Sequence, residues 1–136
     1  MAKPSFRYNT RSLSAGINRE LMQQPERAKH ALDSVGGFIN GEAKDRAPVK
    51  EGFLTADISN STVKYQKSYA AVIYVPSNAT SAPYAIKMHE GKYNLGSDSE
   101  AKSHKTGKGV GAKFITRAID ANRDVIKEII TQELKV

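Results

Sequence analysis

The apolar positions along the chain change period twice. Leu13, Ile17 and Leu21 recur every four residues behind Thr10 and Ser12, either of which can cap a helix start. Pro25 interrupts this stripe and suits a first helical turn, so a second, longer helix is expected from there. In it Ala28, Ala31, Leu32, Val35, Ile39 and Ala43 share one face. Gly36 and Gly37 sit inside that helix, where each costs about 1 kcal/mol relative to Ala. They mark either a close approach to a sheet or a kink. Pro48 disfavours helical geometry at Ala47 and should end the helix.

A period of two follows. Leu54, Ala56 and Ile58 alternate with Thr55, Asp57 and Ser59, the pattern of a half-buried strand, with a turn or bulge at Asn60–Ser61. Ala70–Val75 is rich in β-branched and aromatic residues, as a central strand would be, and Pro76 ends it. A polar loop bounded by Pro76 and Pro83 leads to a third expected strand, Tyr84–His89. Residues 91–112, rich in Gly, Ser and Lys, show neither period and are expected as a long flexible basic loop. The last helix is the clearest pattern. Phe114, Ile115, Ala118, Ile119, Ile126, Ile129, Ile130 and Leu134 line one face at spacings of three and four. Helices, then strands, then a helix imply an α+β domain: a small, mainly antiparallel sheet packed by a long helix in the N-terminal half and a C-terminal helix. Residues 1–9, with Pro4 and the alternating aromatics Phe6 and Tyr8, are expected as an extended arm that docks on a neighbouring subunit.

Length and composition narrow the classes. The 136 residues suit a single domain, 39% apolar and 26% charged. Without cysteine there is no disulfide, thiolate metal site or thiol nucleophile. No apolar run reaches the ~18–20 residues of a membrane span, and no secretory signal is expected. The formal charge of +7 raises the prospect of a polyanionic neighbour.

Candidate chemistry is sparse. The three histidines, His30, His89 and His104, do not converge at metal-ligand or general-base spacing. His89 and Glu90, adjacent on the expected strand, would point to opposite sides. The run Thr106–Gly111 looks like a phosphate loop but lacks the hydroxyl after Lys108 and a preceding apolar strand. No catalytic, cofactor or metal site is expected, and the chain is not expected to be an enzyme. Lys102, Lys105, Lys108 and Lys113 form a basic track suited to non-specific DNA or partner contact, with Tyr93 the one aromatic beside it, too few for base stacking.

Two short blocks carry a resemblance. Residues 43–58, with Ala43-Lys44, Ala47-Pro48-Val49, Gly52, Leu54 and Ile58, resemble a block of the neck and tail-completion proteins that join head to tail in tailed bacteriophages. Tyr84-Ala85 and His89-Glu90-Gly91 are similar to a second block of that family, and Lys113–Ile119 to the start of its last helix. Glu51 departs from the threonine the family often has there. The resemblance covers roughly residues 25–134. It implies scaffold roles for Pro48, Gly52, Leu54, Tyr84, Ala85, Glu90 and Gly91. It also implies a virion protein forming a ring, a hexamer by preference, at the head–tail junction. Its neighbours would be head-completion, tail-terminator or tail-tube proteins, with non-specific contact to genomic DNA and no membrane. The rival expectation is a small basic nucleic-acid-binding protein.

Overall fold

A computed structural model describes residues 4–9, 25–49, 51–65 and 68–134. The order is β1 (Pro4–Asn9), α1 (Pro25–Arg46), α2 (Phe53–Asp57), β2 (Ser59–Tyr65), β3 (Ser68–Pro76), α3 (Ala82–Glu90), α4 (Ser97–Thr106), α5 (Phe114–Ala121) and α6 (Arg123–Leu134). The sheet is antiparallel with order β1-β3-β2, so the apolar Ala70–Val75 run forms the central strand as its composition predicts. The architecture is α+β. Helix α1 packs against β2 and β3 and also against α5 and α6. Val35, Ile39, Ile73, Val75, Phe114, Ile115, Ile119 and Ile126 meet in the core. The expected helix around Leu13, Ile17 and Leu21 lies outside the described residues.

Gly36 resolves one of the alternatives left open above. A Cβ there would meet Asn60 Nδ2 of β2 at 3.0 Å, so this glycine lets helix and sheet approach closely. Polar contacts line the same seam: Asn40 Nδ2 donates to Asn60 Oδ1 at 2.7 Å, and the Thr62 hydroxyl donates to Asp33. The polar β2 can therefore turn side chains toward α1, whereas a pattern search looks for apolar ones.

Several expectations are corrected. Residues 54–58 are not a strand. Helix α2 spans Phe53–Asp57, and Leu54 and Ile58 are buried together because i and i+4 also share a helix face. Ala56, the middle member of the supposed alternation, is exposed. Tyr84–His89 is likewise not a strand. Pro83 occupies the first turn of α3, which buries Ala85 and His89 and leaves Tyr84 and Ile86 exposed. Residues 91–112 are not one continuous loop. Gly96 and Gly107 bracket α4, whose first turn holds Asp98 and Glu100 and whose last turn holds His104 and Lys105, matching the helix dipole. The C-terminal helix is broken at Asn122, whose side-chain amide donates to the Ala118 carbonyl at 2.8 Å while its carbonyl accepts from Ile126 N. Finally, the arm at residues 4–9 folds back as β1 and pairs Tyr8 with Ile73 in the chain's own sheet, with an irregular register between Pro4 and Arg7.

Candidate functional site

A groove of about 720 Å³ opens between the turn at Pro48–Gly52, helices α2 and α3, and the 93–99 segment that enters α4. Each wall follows from local sequence. Pro48 follows the end of α1 at Arg46 and is itself buried. Gly52 has φ of 84°, a left-handed geometry that favours glycine, and its carbonyl accepts the first turn of α2 from Ala56 N at 3.0 Å. That turn aims Leu54 inward, buried, and Phe53 outward, 43% exposed. Across the groove, α3 buries Ala85 and presents Tyr84, 39% exposed. Met88, Tyr93 and Leu95 complete the apolar lining. Among the described residues, the charged side chains on the lining are Glu51, Asp98 and Lys87. The phenol of Tyr84 is held above its ordinary pKa by burial first, and then by the carboxylates of Asp57 and Glu51.

The far wall is fastened by residues that pattern reading missed. Ser99, buried on α4, accepts from Val49 N at 2.8 Å and donates back to Val49 O at 3.1 Å. Asp57 Oδ2 accepts from Ser81 N at 2.9 Å and ties the end of α2 to the start of α3. The Tyr93 hydroxyl donates to Met88 O at 2.6 Å. A lone serine in a polar run carries no periodic signal; only its long-range partner reveals its role.

The structure brings Pro48, Gly52, Leu54 and Tyr84 together around this groove. Ala85 lies behind Tyr84, fully buried. Gly91 follows the last residue of α3 and donates its amide to the Lys87 carbonyl at 2.7 Å; a Cβ there would stand 2.4 Å from that oxygen, so the close approach requires glycine. Glu90 forms an ion pair with Lys113. No family model, curated protein or solved structure matches the chain.

Three of the four track lysines are engaged by groups within the fold. Lys102 inserts its ammonium into the C-terminal end of α1 and donates to the carbonyls of Lys44 and, at 2.7 Å, Ala47. Burial lowers its pKa while Asp45 works in the opposite direction. Lys108 reaches Asp45 at 2.7 Å and Glu42 at 3.0 Å, and those hydrogen bonds raise its pKa. Burial pushes Glu42 up, but hydrogen bonds from Arg46 and Lys108 outweigh it and hold the carboxyl below its ordinary value. Lys105 is exposed on α4. Most of the basic track thus closes the fold, capping α1 and anchoring the 107–113 connection.

The Thr106–Gly111 run is folded as a connector. Gly107 caps α4 in a left-handed geometry, the Gly109 carbonyl accepts from Arg117 at 2.6 Å, and Gly111 N donates to Arg46 O at 3.0 Å. The histidines sit on three helices. His30 Nδ1 meets Glu133 at the surface at 2.8 Å, His104 is exposed on α4, and His89 is buried on α3 with its ring edge-on to Phe114 at 4.8 Å. The opposite orientation expected for His89 and Glu90 does not hold, since on the helix His89 Nδ1 lies 3.0 Å from Glu90 Oε1. Among the described residues no group of three or more His, Asp or Glu is placed to hold a metal ion, and no helix is long and apolar enough to cross a membrane.

Proposed function

We propose that this chain is a structural subunit of a tailed-bacteriophage virion, acting at the head–tail junction as a ring-forming neck or tail-completion protein. The observation that carries the proposal is convergence. The two blocks on which the resemblance rests are some thirty residues apart in sequence, yet Pro48, Gly52 and Leu54 from one and Tyr84 from the other line a single groove. Pro48 and Leu54 are buried at its floor as scaffold. Here the same turn and helix that set the scaffold also present Phe53 and Tyr84 to solvent, the large aromatic anchors typical of protein interfaces.

The mechanism on this reading is geometric and makes or breaks no bond. A hexamer is the favoured ring. Its subunits would hold one another laterally, and the ring's two faces would meet head-completion and tail proteins. Ring closure uses heterologous contacts, so one face of each subunit fits a different face of the next. Non-specific contact with genomic DNA falls to exposed residues such as Lys105.

The test is made on particles. The chain should be detected in purified virions by mass spectrometry, at a copy number per particle that matches a ring. Removing its gene should leave filled heads and finished tails unjoined in electron micrographs. Normal joining without the chain, or its absence from virions, would overturn the reading.

A further inference from the structure

We infer that α4 is a strap that opens as a unit: residues 96–109 leave the C-terminal end of α1 together while the core stays closed, and the groove loses its far wall when they do. The inference goes beyond the ring reading and stands on the fold alone.

The two walls of the groove are held by different forces. The wall built by α2 and α3 sends Leu54 and Ala85 into the main core, in one cluster with Ile39 and Phe114. The opposite wall runs into α4. The sequence Ser97–Thr106 holds no apolar residue larger than Ala101, and that alanine is exposed. Ser99 is the one buried residue of the helix. The term that dominates folding, burial of apolar surface, is therefore almost missing from α4. A helix of 10 residues is also marginal in water by itself.

Polar contacts hold α4 in place. Ser99 exchanges two hydrogen bonds with the backbone of Val49, at 2.8 and 3.1 Å. Lys102 donates to the carbonyls of Lys44 and, at 2.7 Å, Ala47. Just past the helix, Lys108 meets Asp45 at 2.7 Å and Glu42 at 3.0 Å. All of these contacts end on residues 42–49, so lifting α4 breaks them together. Water replaces such bonds at small net cost, least of all for the partly exposed ion pairs.

The strap has defined ends. Gly96 precedes α4 and Gly107 follows it, the latter already left-handed at φ 69°, so the backbone can turn at either end. Beyond these points the chain is tied down again. The Tyr93 hydroxyl donates to Met88 O at 2.6 Å on one side. On the other, Val110 is buried and Gly111 N donates to Arg46 O at 3.0 Å. Segments with few buried apolar contacts open below the free energy of global unfolding. Opening here bares Val49 and the last carbonyls of α1, and removes residues 96–99 from the lining of the groove.

Native-state hydrogen exchange on the full-length chain, read residue by residue by NMR at low denaturant, tests the strap. Amides 100–107 should be protected, share one opening constant and depend only weakly on denaturant. They should exchange roughly a hundredfold or more faster than Ile39, Ile73 and Ile119 in the core. The Val49 amide, 50 residues from Ser99 in sequence, should follow the same isotherm because Ser99 accepts its hydrogen bond. Ser99→Ala and Lys102→Gln should each raise the shared opening constant about tenfold. The isotherms of the parent decide the matter even if a variant does not fold. Amides 100–107 as protected as the core, wholly unprotected, or scattered over unrelated values would overturn the inference. So would a Val49 amide that follows the core, or folded variants that open like the parent.

Discussion

At the scale of single residues, His89 couples stability to pH. Burial lowers its pKa to about 4, with the charges of Lys113 and Arg117 pushing the same way, while Glu90 faces its Nδ1. The unfolded chain takes up a proton near the ordinary histidine value of about 6.5, and the folded chain does so only near 4. Protonation therefore favours unfolding. The contribution is complete above pH ~6.5 and is lost progressively as pH falls toward 4, with a ceiling of roughly 3 kcal/mol. Denaturant titrations from pH 7.5 to 4 should show this loss, and His89→Gln should flatten the histidine part of the profile. Equal slopes in both proteins would show that another group sets the acid limit. Ser81 supplies a second test. It sits at the N-cap position of α3 with no side-chain capping bond, fully buried, and its hydroxyl has no partner among the described residues. Truncating an N-cap serine usually costs about 1 kcal/mol. Here Ser81→Ala removes an unsatisfied buried hydroxyl, so the midpoint of unfolding should stay level or rise.

At the scale of elements, the parts that pattern made legible are those whose apolar face is long. Helix α1 and the Phe114–Leu134 stretch offer many turns of agreement, and β3 offers a run of branched residues. Short elements are ambiguous because two periods coincide over five residues: Leu54 and Ile58 fit both i+2 alternation and an i+4 helix face. β1 and β2 were hidden for different reasons, β1 because Pro4–Asn9 looks like a free arm and β2 because its polar side chains bond to α1. The groove was legible only as motif residues, and its fastening by Ser99 and Asp57 depends on partners far away in sequence. Two predictions follow from the elements as they stand. Ile119→Asp places a charge in the fully buried seam of α5 and should cost about 3–5 kcal/mol, whereas Arg123→Asp loses only a surface pair with Asp120 and should cost under about 1 kcal/mol. Comparable losses in urea titrations would mean that the buried face is misassigned. Deleting residues 2–9 turns β3 into an edge strand and should lower the melting temperature by several degrees, since each kcal/mol is worth about 3–6 °C at this length. An unchanged melt would return β1 to the status of a detachable arm.

At the scale of the whole molecule, the contacts already made by the Lys102–Lys113 track decide how that track meets DNA. Had Lys102, Lys105, Lys108 and Lys113 formed one exposed track, binding to duplex DNA would fall with salt at a logarithmic slope of roughly −3.6, near −0.9 per phosphate neutralised. In the folded chain Lys102 caps α1, Lys108 is held by Asp45 and Glu42, and Lys113 is paired with Glu90, so Lys105 alone of the four is uncommitted by any of these contacts. The expected slope in fluorescence anisotropy is therefore shallower than about −2. Two substitutions separate the roles. Lys105→Gln should reduce the slope by about one at most and leave thermal unfolding unchanged. Lys102→Gln should leave the slope unchanged and lower stability by about 1–3 kcal/mol, because it removes charged hydrogen bonds from buried carbonyls at the end of α1. A steep slope that falls equally with either substitution would show that Lys102 leaves its carbonyl nest to meet phosphate. The track would then be a DNA-binding surface after all, and the chain's work at the junction would include gripping the genome as well as joining the ring.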